Sequence, residues 1–178
     1  MYEPGDDSYL MEKYVRNFAS GRVLEIGCGS GILMKAALTK TENVIGVDID
    51  NEALEFCRKQ GLNVKKSDLF SNVEGRFDLI IFNPPYLPED GPFLERNVRE
   101  RKNIDIIGGK HGWEIIERFL INVKSYLNKN GRILIIFSSL TNKKKVDSIS
   151  KENNYKFKCL ETKKMFFEEL YVYLIKMH

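Results

Sequence analysis

Short, unbroken apolar runs separated by helix-length segments leave few folds open to this chain. Val23-Leu24-Glu25-Ile26, Phe77-Asp78-Leu79-Ile80-Ile81-Phe82 and Ile133-Leu134-Ile135-Ile136-Phe137 have strand length and do not alternate apolar with polar residues. Such runs suit strands buried on both faces, as in a parallel sheet covered by helices. Around them the spacing predicts helices Ser8 to Phe18, with Asp6 or Asp7 as cap, Ile32 to Leu38, Asn51 to Gln60, Trp113 to Leu127 and Asn142 to Asn153. Strands are expected at Arg22 to Ile26, Asn43 to Val47, Asn63 to Lys66, Phe77 to Phe82 and Arg132 to Phe137, with strand-like runs near Lys156 to Leu160 and Leu170 to Ile175. This alternation implies βαβ units on a parallel sheet. At 178 residues the expectation is one domain spanning 1–178. From Pro84 to about Gly112 no periodicity holds, and a loop of that length points to a substrate loop.

Glu25-Ile26-Gly27-Cys28-Gly29-Ser30-Gly31 lies between the first strand and a helix. At such a turn, backbone N–H groups come close to a ligand only where Cβ atoms are absent, and three alternating glycines meet that condition. The dinucleotide fingerprint would place its third glycine at Ile32, so NAD-linked hydride transfer fits poorly. A carboxylate at Glu25 would repel a pyrophosphate and attract a cation, such as the ammonium or sulfonium of S-adenosylmethionine (AdoMet). Asp48, closing the second strand, has the spacing of an acid that accepts both ribose hydroxyl protons. Asp68, closing the third, could take the exocyclic amine of adenine while Leu69 packs on the ring. A glycine loop alone is weak evidence. Followed by Asp48 and Asp68 at successive strand ends, it predicts a nucleoside cofactor held by Glu25, Gly27, Gly29, Gly31, Asp48, Asp68 and Leu69.

Asn83-Pro84-Pro85-Tyr86 ends the fourth strand, over the crevice where open α/β sheets bind ligands. The prolines fix their own φ and push Asn83 into extended geometry, so the segment is stiff. A planar NH₂ on an amide or aromatic base is a poor nucleophile because its lone pair is delocalised. The Asn83 side-chain oxygen and the Pro84 carbonyl can each accept one of its hydrogens, and Tyr86 can stack on the flat group and aim it. These bonds strengthen as the nitrogen becomes positive. Asn83, Pro84 and Tyr86 are the candidate catalytic residues, and neither histidine is needed as a strong base.

Composition narrows the setting. No apolar stretch reaches bilayer-spanning length, and Met1 to Asp7 is acidic, unlike a signal sequence, so a cytoplasmic protein is expected. Cys28, Cys57 and Cys159 lack paired spacing, which argues against bound metal and a disulfide framework. A net charge of +3 is too small to imply nucleic acid, and Lys143 to Lys145 and Arg96 to Lys102 read as solvated faces.

Four landmarks in order resemble the HemK-type protein N5-glutamine methyltransferases of class I peptide-chain release factors, in their short archaeal and eukaryotic branch. They are Tyr2-Glu3-Pro4 with Asp6-Asp7-Ser8, Glu25 to Gly31, Asn83 to Tyr86, and Gly108-Gly109-Lys110-His111-Gly112. The resemblance implies a Rossmann-like class I AdoMet-dependent methyltransferase fold: a mostly parallel seven-stranded sheet, helices on both faces and an antiparallel last strand. It implies methyl transfer from AdoMet to the side-chain amide nitrogen of the glutamine in a release factor's Gly-Gly-Gln motif, without metal. By analogy Ser8, Glu25, Gly27, Asp48, Asp68, Leu69 and Asn83 touch the cofactor, Asn83 also holds the substrate amide, and Tyr2 and Pro4 help close the pocket. Ser8 stands where this branch usually carries threonine and keeps the hydroxyl. His111 stands where Asp or Asn is frequent, and is expected to be incidental. Bacterial relatives add an N-terminal domain that grips the release factor, and this chain begins at the first landmark. The resemblance then implies a small zinc-binding activator subunit that adds a strand beside Asn63 to Lys66, an expected sheet edge, unless Lys65 and Lys66 protect it.

Two other readings stand beside this one. A DNA or RNA amino-group methyltransferase of the adenine N6 type uses the same tetrapeptide on the same planar NH₂, but base flipping normally needs strong phosphate contacts that +3 hardly supplies. A non-catalytic nucleotide-binding scaffold would be expected to lose either Asp48 or the Asn-Pro-Pro-Tyr cradle, and both are present.

Overall fold

The computed structural model describes residues 4–89 and 106–178. Tyr2, the Arg96 to Lys102 stretch and much of the expected substrate loop lie outside these residues. In chain order the elements are α1 (Asp6–Phe18), β1 (Val23–Ile26), α2 (Ile32–Leu38), β2 (Val44–Asp48), α3 (Asn51–Lys59), β3 (Val64–Lys66) and β4 (Phe77–Phe82). They continue as α4 (Glu114–Asn122), β5 (Leu127–Ser138), α5 (Lys143–Glu152), β6 (Tyr155–Lys164) and β7 (Glu169–Met177).

The strands form one sheet in the order β3-β2-β1-β4-β5-β7-β6. The first five strands run parallel, and β7 is antiparallel to both of its neighbours. Strand β3 lies at an edge, as its short length and Lys65-Lys66 suggest. The central runs lack polar alternation because both faces are covered. Along β5, Ile133, Ile135 and Phe137 join a cluster with Ile116, Phe119, Val146 and Ile149 of α4 and α5. The intervening Leu134 and Ile136 join Leu10, Met11, Leu33 and Leu54 of α1, α2 and α3 on the other face. The period-two geometry of a strand sends its successive side chains to opposite cores.

The expected caps Asp6 and Asp7 are corrected: Gly5 precedes α1 without a side-chain cap, and both acids lie in the first turn, where carboxylates suit the helix dipole. Asp7 is also turned inward, 6% exposed. The helix expected to reach Leu127 stops at Asn122, runs on as a 3₁₀ turn over Val123–Tyr126, and gives way directly to β5 at Leu127. Leu127 pairs with Phe77, and the register then shifts so that Arg132 faces Leu79. The irregularity takes up residues 128–131, and a Cβ on Gly131 would lie 2.8 Å from the Phe77 carbonyl oxygen. Strands β6 and β7 extend beyond the two runs expected there and build a long hairpin. No described helix is long and apolar enough to cross a membrane.

Candidate active site

The C-terminal ends of β1, β2, β3 and β4 open on one edge of the sheet, where a cavity of about 490 Å³ is lined by the turns that follow them. Ser8, Glu25, Gly27, Gly29, Asp48, Asp68, Leu69, Asn83, Pro84 and Tyr86 all line it, so the structure brings together residues up to 78 positions apart, from Ser8 to Tyr86. Gly27, with φ +68°, has nothing within 4 Å of the place a Cβ would occupy; a side chain there would project into open space. Asp48 is held by two backbone N–H donors, Gly29 to Oδ2 and Asp50 to Oδ1, each at 2.9 Å. The described lining includes five carboxylates, Asp7, Glu25, Asp48, Asp50 and Asp68, and one cationic side chain, Arg118. That balance suits a positively charged ligand better than a pyrophosphate.

Two expected residues do not line the cavity. Gly31 has φ +74°, and a Cβ there would come within 2.3 Å of Leu62 Cδ1 and 3.1 Å of Cys57 Sγ. Its glycine serves the tight entry into α2 and packing behind the loop. Pro4 is half-buried but is not among the described lining residues.

Glu25 is 3% exposed, and its Oε2 has no hydrogen-bond partner. Burial pushes its carboxyl well above the usual carboxylate range; the Met34 backbone N–H opposes the shift and the Asp48 charge adds to it. Asn83 Oδ1 is the second buried side-chain acceptor on the cavity without a partner. Its Nδ2 donates to Asp7 Oδ2 at 3.2 Å and to Ser8 Oγ at 3.4 Å. The Tyr86 hydroxyl donates to the same Asp7 Oδ2 at 3.3 Å. Asp7 thus bridges the first and last residues of the tetrapeptide, a role that reading it as a cap missed. Its place in the Asp6-Asp7-Ser8 landmark was the available signal. Arg118, also missed, pairs with Asp68 Oδ2 at 3.0 Å where both side chains are more than half exposed.

The Gly108 to Gly112 landmark packs behind the tetrapeptide. Leu87 and Ile107 form a parallel bridge, and Gly108 N–H donates to the Leu87 carbonyl at 2.8 Å. A Cβ on Gly108 would lie 2.6 Å from the Pro85 carbonyl oxygen, and one on Gly112, with φ +83°, 2.4 Å from that of Tyr86. Because backbone cannot yield as a side chain can, Gly112→Ala should cost about 1–3 kcal/mol of stability and lower turnover by displacing Tyr86. Thermal melting and steady-state kinetics measure both effects. His111 lies outside the lining and pairs through Nδ1 with Glu114 Oε1 at 2.7 Å.

The Methyltransferase small domain family model matches residues 6–96. A Methanocaldococcus jannaschii protein named as a protein N5-glutamine methyltransferase is 37% identical over 179 residues, covering 97% of this chain and 89% of that one. The Haemophilus influenzae release factor glutamine methyltransferase is 28% identical over 162 residues, covering 82% of this chain but only 55% of its own length. Among solved structures, the E. cuniculi Mtq2-Trm112 complex, described as responsible for methylating the termination factor eRF1, superposes with a TM-score of 0.79 at 25% identity, covering 99% of this chain and 98% of that one. The glycine loop, the acids at successive strand ends and the Asn-Pro-Pro-Tyr turn therefore stand on the fold their order foretold, and the chain belongs to the AdoMet-dependent protein N5-glutamine methyltransferases.

Proposed function

We propose that this chain methylates the side-chain amide nitrogen of the glutamine in the Gly-Gly-Gln motif of a class I peptide-chain release factor. The observation that carries this reading is Asn83 Oδ1, a buried acceptor on the cavity left without a donor while its own Nδ2 is engaged by Asp7 and Ser8. A primary amide supplies the missing N–H. Asn83 Oδ1 and the Pro84 carbonyl hold its two hydrogens, so that its lone pair is drawn back onto nitrogen, and the Tyr86 ring flanks the plane. The nitrogen becomes acidic as it is alkylated, so its proton passes to water without a dedicated strong base.

Glu25, Gly27, Gly29, Asp48, Asp68, Leu69, Ser8 and Asn83 are the residues proposed to hold AdoMet. AdoMet supplies the methyl group as a sulfonium electrophile and departs as S-adenosylhomocysteine. The fit rests on Glu25 Oε2, which lacks a partner in the buried wall, and on the open space above Gly27. Asp48 keeps lone pairs for two ribose hydroxyls, and Asp68 offers an acceptor at the adenine end. A small zinc-binding activator subunit is proposed to extend the sheet at β3, the edge strand, as the partner in the Mtq2-Trm112 complex suggests.

The Glu25 shift gives a pH test. Its carboxyl is raised well above the usual carboxylate range in the free protein, and pairing with a ligand ammonium lowers it. S-adenosylhomocysteine should bind more tightly as pH rises through that window, by up to roughly tenfold per pH unit, with release of a proton. The unliganded fold changes in the opposite sense: a folded value above the unfolded one stabilises fully below the unfolded value, and this contribution is lost as pH rises through the folded one. Calorimetric titration and melting across pH check both trends, and Glu25→Gln should flatten them.

The function itself is tested by incubating the chain and its zinc-binding subunit with labelled AdoMet and either the cognate release factor or adenine-containing RNA. Label on the protein supports the proposal. Label on RNA alone would replace it with the amino-group nucleic-acid reading, which the same tetrapeptide could serve.

A further inference from the structure

The described surface exposes one adjacent aromatic pair, Phe166 and Phe167, at 90% and 67%. Their rings meet edge to face, with centroids 4.5 Å apart. They sit in the turn of the β6–β7 hairpin, closed by the Met165 N–H donating to the Glu168 carbonyl at 2.8 Å. Leu170, near the start of β7, pairs with Ser138 at the C-terminal end of β5. The turn therefore projects from the same sheet edge as the cavity.

Bonds along the hairpin tie it to the cavity walls. Lys163 pairs with Asp6 at 2.9 Å, and Asp6 is followed by Asp7 and Ser8 in the lining. The Glu169 N–H donates to Ser139 Oγ at 3.0 Å, and Thr141, two residues further on, donates through Oγ1 to the Tyr86 carbonyl at 2.8 Å. Tyr9, directly after Ser8 on α1, is 58% exposed. The remaining buried side-chain acceptor without a partner among the described residues, Glu168 Oε2, also belongs to the hairpin.

A glutamine side chain inserted into the cavity leaves its polypeptide across the rim. We propose that Phe166 and Phe167 dock the protein substrate, gripping apolar side chains that flank the target glutamine. This rests on the protein-substrate reading above. Strand β3, the proposed activator edge, is at the opposite end of the sheet from β6, so activator and substrate would not compete for the hairpin. Rigid aromatic anchors suit such a surface because they bring large contact area at low conformational cost.

The test compares the unaltered chain with the Phe166→Ser/Phe167→Ser double variant and with Phe166→Leu, each with the zinc-binding subunit present. The double variant should raise KM for the release factor roughly tenfold or more, with kcat, S-adenosylhomocysteine affinity and melting temperature close to unaltered values. Phe166→Leu, which keeps an apolar group, should fall between. An unchanged KM for the release factor, with the unaltered chain active, would overturn the docking proposal alone. No methylation of the release factor by the unaltered chain would overturn the substrate reading and the docked occupant with it. A loss of self-association in the double variant, with KM unchanged, would assign the pair to a second copy of the chain and also overturn the proposal.

Discussion

Asn83→Ala should lower kcat for methyl transfer by about 10²–10³, while S-adenosylhomocysteine affinity changes by less than about tenfold. On the proposed reading the side-chain oxygen is the acceptor that the cavity presents to a planar amide, and its bond grows stronger as the nitrogen takes on positive charge. A hydrogen bond to a charging group is worth roughly 1.5–3 kcal/mol, more in a site that excludes water. Alanine removes that acceptor and also leaves Asp7 Oδ2 without the Asn83 donor at 3.2 Å. Asn83→Asp should be comparably inactive for a different reason: it keeps acceptors but sets a carboxylate against the Asp7 carboxylate. Single-turnover transfer beside calorimetric cofactor binding separates the lost chemistry from lost binding. Near-normal turnover in Asn83→Ala would remove Asn83 from the reaction.

Asp7→Asn should lower kcat by about 10- to 100-fold with KM and cofactor affinity little altered, although it is nearly isosteric. Asp7 acts through Asn83. As a carboxylate it only accepts, so it requires Nδ2 of Asn83 to face it and leaves Oδ1 toward the cavity; it accepts the Tyr86 hydroxyl as well. Its Oδ1 takes the Ser8 N–H at 2.6 Å. An asparagine carries donors too, and with one amide oxygen it cannot serve all of these donors. The Asn83 amide is then free to turn and offer NH₂ to the substrate. Asp7→Ala should add a stability loss of about 1–3 kcal/mol from buried groups left unpaired. A kcat decrease without a KM change distinguishes orientation from binding, whereas unchanged kcat in Asp7→Asn would assign Asp7 a purely structural role.

The sheet and the cavity's principal residues were legible because each rests on a local signal. Buried strands write unbroken apolar runs, a close-approach turn writes alternating glycines, and Asn83-Pro84-Pro85-Tyr86 carries its own stiffness. Signals failed where two structures share one local pattern. Asp7 at the start of a helix reads as a cap, and its partner Asn83 lies 76 residues away. Gly31 follows Gly27 and Gly29 in the same spacing, yet Leu62 from the α3–β3 connection occupies the space beside it. Arg118 lies on an amphipathic helix, and only the fold brings it to Asp68. The 127–131 segment looked like helix and loop because its strand pairing depends on a bulge against Phe77.

The central claim is that this cavity methylates a glutamine side chain in a release factor. Its most direct test is fragment mass spectrometry of the cognate release factor after reaction with the chain, the proposed activator subunit and AdoMet. The expected result is one methyl group on the side-chain amide of the glutamine in Gly-Gly-Gln, absent with Gln→Glu in that motif and with Asn83→Ala in the enzyme. A methyl group at another residue, or one that persists in both variants, would contradict the account.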